Sequence, residues 1–312
     1  MVRELFDMGE KSIKVRVPGT SANCGPGFDT IGIACTIYNE LELQLSRTPG
    51  LEIEIVGEGA KNIPRDARNI VWRSIQHLLR RAHKEKEYPG AIIKMKNAIP
   101  LSRGLGSSAA AIVGGLKAAN LLIGNPFSRR ELLQMATDIE GHPDNVAPAI
   151  FGGFTITVMH NRRPECFSFV PKIPLKLVVA VPEFPLSTRM ARSVLPEQVP
   201  LQDAVFNVSR ASLLVASLCR GNVHFLQHAF EDALHQPYRA KLIPGMYDVI
   251  QAAKSAGALG ASMSGAGPCL IAFTVKQAEK VGAAMLDVFQ KNEIEAHSLL
   301  LDIDTRGVCI LR

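Results

Sequence analysis

The sequence has little of what marks an exported or membrane-bound protein. It opens without the segments of a signal peptide, and it contains no apolar run of about 18 residues free of glycine, proline or polar breaks. Its six cysteines include no C-x-x-C pair and no regular spacing, which favours reduced thiols over a disulfide framework. We therefore expect a cytoplasmic protein without a membrane segment.

Charged and aromatic residues are also sparse. They make up 21% and 6% of the 312 residues, and the formal net charge is +6. The densest basic stretch, residues 80–86, is interrupted by Glu85 and has no aromatic platform on which bases could stack. We therefore expect no nucleic-acid partner, whereas a small anionic ligand suits the mild positive balance. The sequence leaves the oligomeric state open, a homodimer included.

The hydrophobic pattern alternates between the periods of strands and helices. With 47% hydrophobic residues, the chain can bury a sizeable core, and its length suggests two domains. The periods predict strands at residues 13–17, 41–45, 51–56, 91–95, 176–181, 268–275 and 303–311, and helices at 69–83, 104–120, 128–139, 203–220, 223–233 and 277–290. The class is α/β or α+β. The stretch 160–174, rich in proline and arginine and without clear periodicity, is the predicted junction between domains 1–160 and 161–312.

A glycine-rich segment, residues 100–110, lies where a predicted strand gives way to a predicted helix. Gly104 and Gly106 permit a tight turn with accessible N–H groups, and the helix N-terminus that follows attracts phosphate oxygens. The segment lacks the lysine of a Walker A loop, and no acidic residue follows at the distance that a dinucleotide fingerprint requires. A phosphate loop is one interpretation. A structural turn with Ser107 and Ser108 as helix caps is the other.

Polar residues crowd together between apolar flanks in residues 140–148, which contain Glu140, His142, Asp144 and Asn145. A carboxylate here can hold Mg²⁺, which takes one or two protein carboxylates and completes its shell with phosphate and water. The alternative is a capped turn in which Asp144 and Asn145 satisfy local backbone groups.

A third motif, residues 257–268, has four glycines and two serines just before a predicted strand. A backbone of this kind can wrap an anion, or it can pack closely against another loop. The residues alone leave both roles open.

Together, the three motifs resemble those of the GHMP kinase superfamily, whose ATP loop has the pattern P-x-x-x-G-L-G-S-S-A-A. Residues 100–110 match it at every fixed position, and the other two motifs follow in the same order. The resemblance implies an ATP-dependent kinase of α+β class, with an N-terminal half like ribosomal protein S5 domain 2 and a ferredoxin-like C-terminal half. It also implies nucleotide-binding roles for Pro100, Leu101, Ser102, Arg103, Gly104, Leu105, Gly106, Ser107, Ser108, Ala109 and Ala110.

The segment 17–29 resembles the opening P-A-T-S-A-N-x-G-x-G-F-D of the homoserine kinase family and departs from it at Gly19, where alanine is usual. The resemblance implies that Asn23 and Asp29 bind the amino acid. An amide oxygen and a carboxylate suit its α-ammonium group.

Two arginines, Arg192 and Arg239, lie in segments similar to the family's. A guanidinium fork matches the two oxygens of a carboxylate, so the resemblance implies that both bind the α-carboxylate. The alternative for each is an ion pair at the surface. By the same resemblance, His142 borders the substrate hydroxyl and the transferred phosphate.

The implied reaction is phosphoryl transfer from ATP with Mg²⁺ to the hydroxyl of L-homoserine, a step towards threonine. Glu140 with Ser107 or Ser108 would hold the metal. Asp144, Asn145 and Glu140 form the catalytic group, with Asp144 as the nearest candidate base. Two alternatives stay open: a GHMP-type kinase for another small alcohol such as mevalonate, and a non-catalytic ATP-binding member.

Overall fold

Two β-sheets and the helices packed on them make up residues 11–311, which the computed structural model describes. The strands are β1 Ser12–Ala22, β2 Ile31–Ser46, β3 Gly50–Gly57, β4 Gly90–Asn97, β5 Phe154–His160, β6 Arg163–Phe169, β7 Lys176–Pro182, β8 Gly260–Met263, β9 Leu270–Thr274, β10 Ala296–Asp302 and β11 Cys309–Leu311. The helices are α1 Ile70–Arg81, α2 Ser107–Leu122, α3 Arg129–Glu140, α4 Val146–Phe151, α5 Thr188–Ser193, α6 Leu201–Arg220, α7 Val223–Leu226, α8 Gln236–Arg239, α9 Met246–Ser255 and α10 Ala278–Lys291. The predicted α+β class is confirmed. Within the described range, every helix is too short or too polar to cross a lipid bilayer.

Local capping signals explain why the helices begin where they do. Asn69, the N-cap of α1, accepts a hydrogen bond of 2.9 Å from Val71 N, and the helix buries Val71 and Ile75 on its inner side. The helix α3 begins with a reciprocal capping box between Ser128 and Glu131. Both helices are therefore specified by residues close together in the sequence.

The larger sheet has the strand order β11-β1-β2-β4-β3, while β5 pairs with both β2 and β6. The strands β3 and β4 are parallel, and the other pairs are antiparallel. The helix α2 contacts β1, β2 and α1. The main hydrophobic core lies here, with Val15, Leu43, Ile93 and Val113 among its fully or almost fully buried members.

The smaller sheet has the order β10-β7-β9-β8 with antiparallel pairs. The helices α9 and α10 contact it, and a second hydrophobic cluster that includes Val178, Val249 and Phe289 is buried between them. The loops that connect the elements of the two sheets carry the three motifs.

The predicted junction at residues 160–174 contains a strand, so the expectation of an irregular segment there is wrong. The strand β6 pairs with β5 from Phe154–Phe169 to His160–Arg163. It is an edge strand, whose exposed polar residues and proline conceal the two-residue period. The division into residues 1–160 and 161–312 stays a prediction, and it would cut β6 and β11 from the sheet they belong to.

Two further expectations are wrong in extent. The helix predicted at residues 223–233 ends after one turn as α7. The strand predicted at residues 303–311 is reduced to β11, because Asp304 Oδ1 accepts hydrogen bonds from Arg306 N and Gly307 N and so forms a turn. The sequence pattern also missed the strands β5, β8 and β10, the helix α9 and the short helices α4, α5 and α8.

Candidate active site

A cavity of about 430 Å³ is lined by loops from both sheets. The loop after β1, the glycine loop before α2, the turn between α3 and α4, the helices α5 and α8, and the turn between β8 and β9 all contribute to it. Ala109 and Ala110 are the two predicted site residues outside its lining, and their side chains are buried in the core. The predicted residues that line it are Asn23, Asp29, Pro100, Leu101, Ser102, Arg103, Gly104, Leu105, Gly106, Ser107, Ser108, Glu140, His142, Asp144, Asn145, Arg192 and Arg239.

The glycine loop depends on backbone conformations that favour glycine. Gly104 and Gly106 have φ values of 80° and 68°, in the left-handed region. A Cβ on Gly104 would lie 2.1 Å from Ser264 O, and one on Gly106 would lie 1.9 Å from Thr20 Oγ1. The helix α2 begins at Ser107 without a side-chain capping hydrogen bond. Its first N–H groups therefore have no side-chain acceptor, and Ser107 and Ser108 line the cavity, which favours a phosphate loop over a serine-capped structural turn.

The third motif packs against the glycine loop and against the end of β1. Ser264 Oγ lies 2.6 Å from Gly104 O and 2.9 Å from Ser21 Oγ. Gly265 N donates a hydrogen bond of 3.1 Å to Ala22 O. Of the two roles left open by the sequence, close packing against another loop therefore fits the geometry.

Glu140 is in contact with the start of α2. Its Oε2 accepts a hydrogen bond of 2.8 Å from Ser108 Oγ, so the hydroxyl paired with this carboxylate is that of Ser108 rather than Ser107. Burial raises the pKa of Glu140, the Ser108 hydrogen bond opposes that shift, and the Asp144 carboxylate adds to it. An anion that burial disfavours is well suited to a divalent cation, and the carboxylate–hydroxyl pair offers the oxygen ligands that Mg²⁺ prefers.

Asp144 is buried and held by its neighbours. Its Oδ1 accepts a hydrogen bond of 2.8 Å from His142 Nδ1, and this bond is the main cause that raises the pKa of His142. Thr20 Oγ1 donates a hydrogen bond of 2.8 Å to Asn145 Oδ1. Asn145 makes no side-chain capping bond to α4, so the polar side chains of this turn bond to one another and to β1 instead of capping the helix.

Asp29 and Arg192, predicted to bind opposite ends of one amino acid, bind each other. Arg192 Nη1 and Nη2 donate hydrogen bonds of 3.1 and 2.6 Å to the two carboxylate oxygens of Asp29. Asn23 Oδ1 accepts from Asp29 N at 3.1 Å, and Asn23 Nδ2 donates to Gly265 O at 2.9 Å. Both members of the ion pair are partly exposed to the cavity, where a zwitterion offers each of them a replacement partner.

Arg239 is a buried cation, with 2% of its surface exposed. Its Nε donates to Ala191 O at 3.0 Å and its Nη1 to Gly265 O at 3.3 Å, so both of these acceptors are uncharged carbonyl groups. Burial lowers the pKa of Arg239 to about 10, and the neighbouring Arg192 guanidinium acts in the same direction. The site is therefore electrostatically prepared for an anionic group.

Several residues that shape the site were not predicted from the sequence. Thr20 holds Asn145, and Ser264 holds the glycine loop. Their positions inside the matched motifs are the signal that could have identified them. The wall beside the glycine loop is lined by Ile63, Pro64 and Met95, an apolar surface suited to a flat ring. Nothing in the spacing of these three residues indicated that role.

Two family matches define the class of protein. The GHMP kinases N terminal domain matches residues 69–153, and the GHMP kinases C terminal domain matches residues 215–291. The two-domain GHMP kinase fold accounts for a cavity built from both sheets, with the glycine loop inside the first match.

Similar proteins narrow the class further. A homoserine kinase of Carboxydothermus hydrogenoformans is 45% identical over 94% of this chain and 95% of that protein. A homoserine kinase of Moorella thermoacetica is also 45% identical, over 90% of this chain and 94% of that protein. A crystal structure of homoserine kinase from Cytophaga hutchinsonii superposes with a TM-score of 0.88 at 34% identity, covering 98% of both chains. The chain belongs to the homoserine kinase family of the GHMP kinases. A mevalonate kinase structure, at 15% identity and a TM-score of 0.69, shares the fold alone.

Proposed function

We propose that the protein transfers the terminal phosphoryl group of ATP to the hydroxyl of L-homoserine, giving O-phospho-L-homoserine and ADP. One observation carries the proposal. A single cavity has uncapped backbone N–H groups at a helix N-terminus on one side, and Asp29, Arg192 and Arg239 on the other. The first side suits a polyphosphate and the second suits an amino acid with both of its charges.

The nucleotide would bind along the glycine loop. The N–H groups of residues 104–108 and the dipole of α2 would stabilise its phosphate oxygens, and no lysine is needed because the donors are backbone groups. The apolar wall that includes Ile63 and Met95 would pack against the base. Ser264 would keep the loop in place through Gly104 O.

Glu140 and Ser108 would hold Mg²⁺, with Ser107 as the neighbouring hydroxyl. When bound, the metal would neutralise charge on the phosphate oxygens and so stabilise the transferring group. The raised pKa of Glu140 supports this assignment, because a cation would offset the unfavourable burial of its charge.

The amino acid would bind by exchanging partners with the Asp29–Arg192 ion pair. Its ammonium would replace Arg192 on Asp29, beside Asn23, and its carboxylate would replace Asp29 on Arg192. Arg239, whose acceptors here are neutral, would supply the second guanidinium for the carboxylate.

The substrate hydroxyl would then lie near the turn that contains His142, Asp144 and Asn145. Asp144 Oδ1 already accepts a hydrogen bond from His142, so we assign Asp144 mainly to orienting the hydroxyl and only secondarily to taking its proton. Phosphoryl transfer depends chiefly on alignment and charge neutralisation, which this arrangement supplies.

A coupled assay of ADP release tests the proposal. With ATP and Mg²⁺ present, L-homoserine should be turned over in preference to mevalonate, galactose and other small alcohols. Absence of turnover with homoserine at millimolar concentration would refute the proposal. Faster turnover of another alcohol would make the protein a different GHMP-type kinase, and calorimetric ATP binding without ADP release for any acceptor would make it a non-catalytic member.

A further inference from the structure

His235 is a buried histidine between two parts of the amino-acid site, and the sequence motifs did not single it out. Its Nε2 lies 2.8 Å from Gly25 O. A carbonyl oxygen can only accept, so Nε2 carries the proton. The Asp232 carboxylate, 3.5 Å from the same nitrogen, favours the same tautomer. In a neutral imidazole Nδ1 is then an acceptor, and it lies 3.3 Å from Arg239 Nη1.

The imidazole connects α8 to the loop after β1. Gly25 belongs to that loop, and so does Phe28, whose ring stacks on His235 with 5.1 Å between centroids and 24° between planes. The Arg239 guanidinium lies 5.2 Å from the centroid of the Phe28 ring. The loop also carries Asp29. His235 therefore contacts both the buried cation and the segment that holds the opposite charge.

We infer that His235, as the neutral Nε2–H tautomer, is a positioning residue that fixes Arg239 relative to the loop of residues 23–29. It thereby sets the spacing between the cation for the substrate carboxylate and the groups for the substrate ammonium. The inference rests on the proposed function, because that function assigns the two ends of the amino acid to these two places. It makes His235 a determinant of specificity for α-amino acids that does not touch the substrate.

The charges around His235 support the neutral form. A proton on Nδ1 would point an N–H group at the Arg239 guanidinium, which has no acceptor to offer. The charged groups that act on the imidazole are Asp232 from the preceding segment, Asp29 from the loop and Arg239 from α8. Burial is the largest influence and lowers the pKa of His235.

Two amide variants separate the two nitrogens. In His235→Gln the terminal nitrogen is three bonds from Cβ, as Nε2 is, so the bond to Gly25 O can be kept while the acceptor for Arg239 is lost. In His235→Asn the amide oxygen is two bonds from Cβ, as Nδ1 is, so the acceptor for Arg239 can be kept. We expect each variant to raise the KM for homoserine about tenfold, with kcat and the KM for ATP changed less than about twofold, because each keeps only one of the two hydrogen bonds that link Arg239 to the loop.

A ligand without a carboxylate provides the second readout. The decarboxylated analogue 3-aminopropan-1-ol retains the hydroxyl and the ammonium, so its dissociation constant, measured by calorimetry, should be the same for the wild type and for His235→Gln. Equal weakening of homoserine and the analogue, or a loss of kcat and ATP affinity together, would make His235 merely structural and overturn the inference. So would either amide variant with the homoserine KM of the wild type.

The wild-type chain gives an independent test should the Gln variant fail to fold. The ratio of the affinities for homoserine and 3-aminopropan-1-ol should stay constant between about pH 8 and about 6.5, because burial lowers the pKa of His235 and the neutral imidazole keeps Arg239 in place. The ratio should fall only at more acidic pH, where protonation of His235 displaces Arg239, on which only homoserine depends. Titrations at the hydroxyl and ammonium sites cancel in this ratio. A ratio that already falls above about pH 6.5 shows that the imidazole is protonated there and overturns the inference. Homoserine that binds without being phosphorylated refutes only the proposed function, whereas homoserine that does not bind refutes both.

Discussion

The two ends of the cavity are built by different means. At the end where we propose that ATP binds, the nucleotide end, residues 104–108 offer backbone N–H groups, held by left-handed glycines and by Ser264. At the end where we propose that homoserine binds, the amino-acid end, charged side chains converge from the loop after β1, from α5 and from α8: Asp29, Arg192 and Arg239. A site built from backbone N–H groups tolerates few substitutions, because the positions of its binding groups depend directly on the conformation of the loop. A side-chain site can change its ligand by single substitutions, which suits a fold that GHMP kinases share while they differ in substrate.

The largest effect should come from a Cβ in the glycine loop. In Gly104→Ala the new atom meets Ser264 O at 2.1 Å, and the backbone has φ of 80°. We expect kcat/KM for ATP to fall at least about 100-fold, or about 2.7 kcal/mol. Gly124→Ala is the matched control, since its φ is 93° but nothing lies within 4 Å of the new Cβ. Equal losses in both variants would mean that backbone strain, not the shape of the nucleotide end, causes the defect.

The amino-acid end should respond next. Removing Arg239 deletes one charge-assisted contact to the substrate, worth about 1.5–3 kcal/mol, so Arg239→Ala should raise the KM for homoserine about 10- to 100-fold. The KM for ATP should stay nearly unchanged, as should both constants in the exposed control Lys241→Ala. Initial rates measured at varied homoserine and at varied ATP concentrations give the two KM values separately. A defect confined to ATP would show that the amino-acid end has been misplaced.

Glu140, which is hydrogen-bonded to Ser108, tests the metal assignment. Glu140→Gln keeps an acceptor for Ser108 but removes the charge, so turnover should fall about tenfold, and most strongly at limiting Mg²⁺. The exposed residue Asp138, two positions earlier in α3, supplies the control Asp138→Asn. A Glu140 variant with the activity and the metal dependence of the wild type would remove Glu140 from the metal site.

The same variant should be more stable than the wild type at neutral pH. The pKa of Glu140 is raised from 4.5 in the fold, so the unfolded chain ionises first and the native state bears an unfavourable charge above that pH. The gain from Gln should therefore be present near pH 7 and disappear as the pH falls below about 4.5. Thermal unfolding without Mg²⁺ measures it, and an unchanged or lower Tm at pH 7 would contradict the burial argument.

The smallest effect should come from the contact that supports the nucleotide end from outside. Ser264→Ala removes the hydrogen bond to Gly104 O and should raise the KM for ATP about fivefold, corresponding to about 1 kcal/mol. Ser262→Ala is the control, because Ser262 Oγ is buried without a hydrogen-bond partner among residues 11–311. A larger effect from Ser262 than from Ser264 would refute the supporting role.

The sequence was sufficient for the parts of the site that are contiguous. The turn at the glycine loop and the helix that follows it were predictable because Gly104, Gly106 and the start of α2 are adjacent in the chain. Helices with strong caps, such as the one after Asn69, were predictable for the same reason. Asn23, Asp29 and the two arginines were found only through family resemblance, since no local pattern links them.

What the sequence did not reveal depends on tertiary contacts. The pairing of Asp29 with Arg192 joins residues 163 positions apart, and His235 is defined by a carbonyl 210 positions away. The strands β6 and β11 were missed or misjudged because short, partly exposed edge strands carry a weak periodic signal. Hydrophobic periodicity reports burial of one element, whereas these features depend on which elements meet.

The placement of β11 has a consequence for biosynthesis. This strand is formed by the last described residues and pairs with β1, for example Lys14 with Leu311. Because β1 is synthesised long before β11, it lacks this partner until β11 has been made. A nascent or prematurely terminated chain that stops before residue 309 leaves that edge open to strands of other chains. Chains that lack β11 should therefore self-associate, because β11 is the strand that covers this edge of the larger sheet among the described residues.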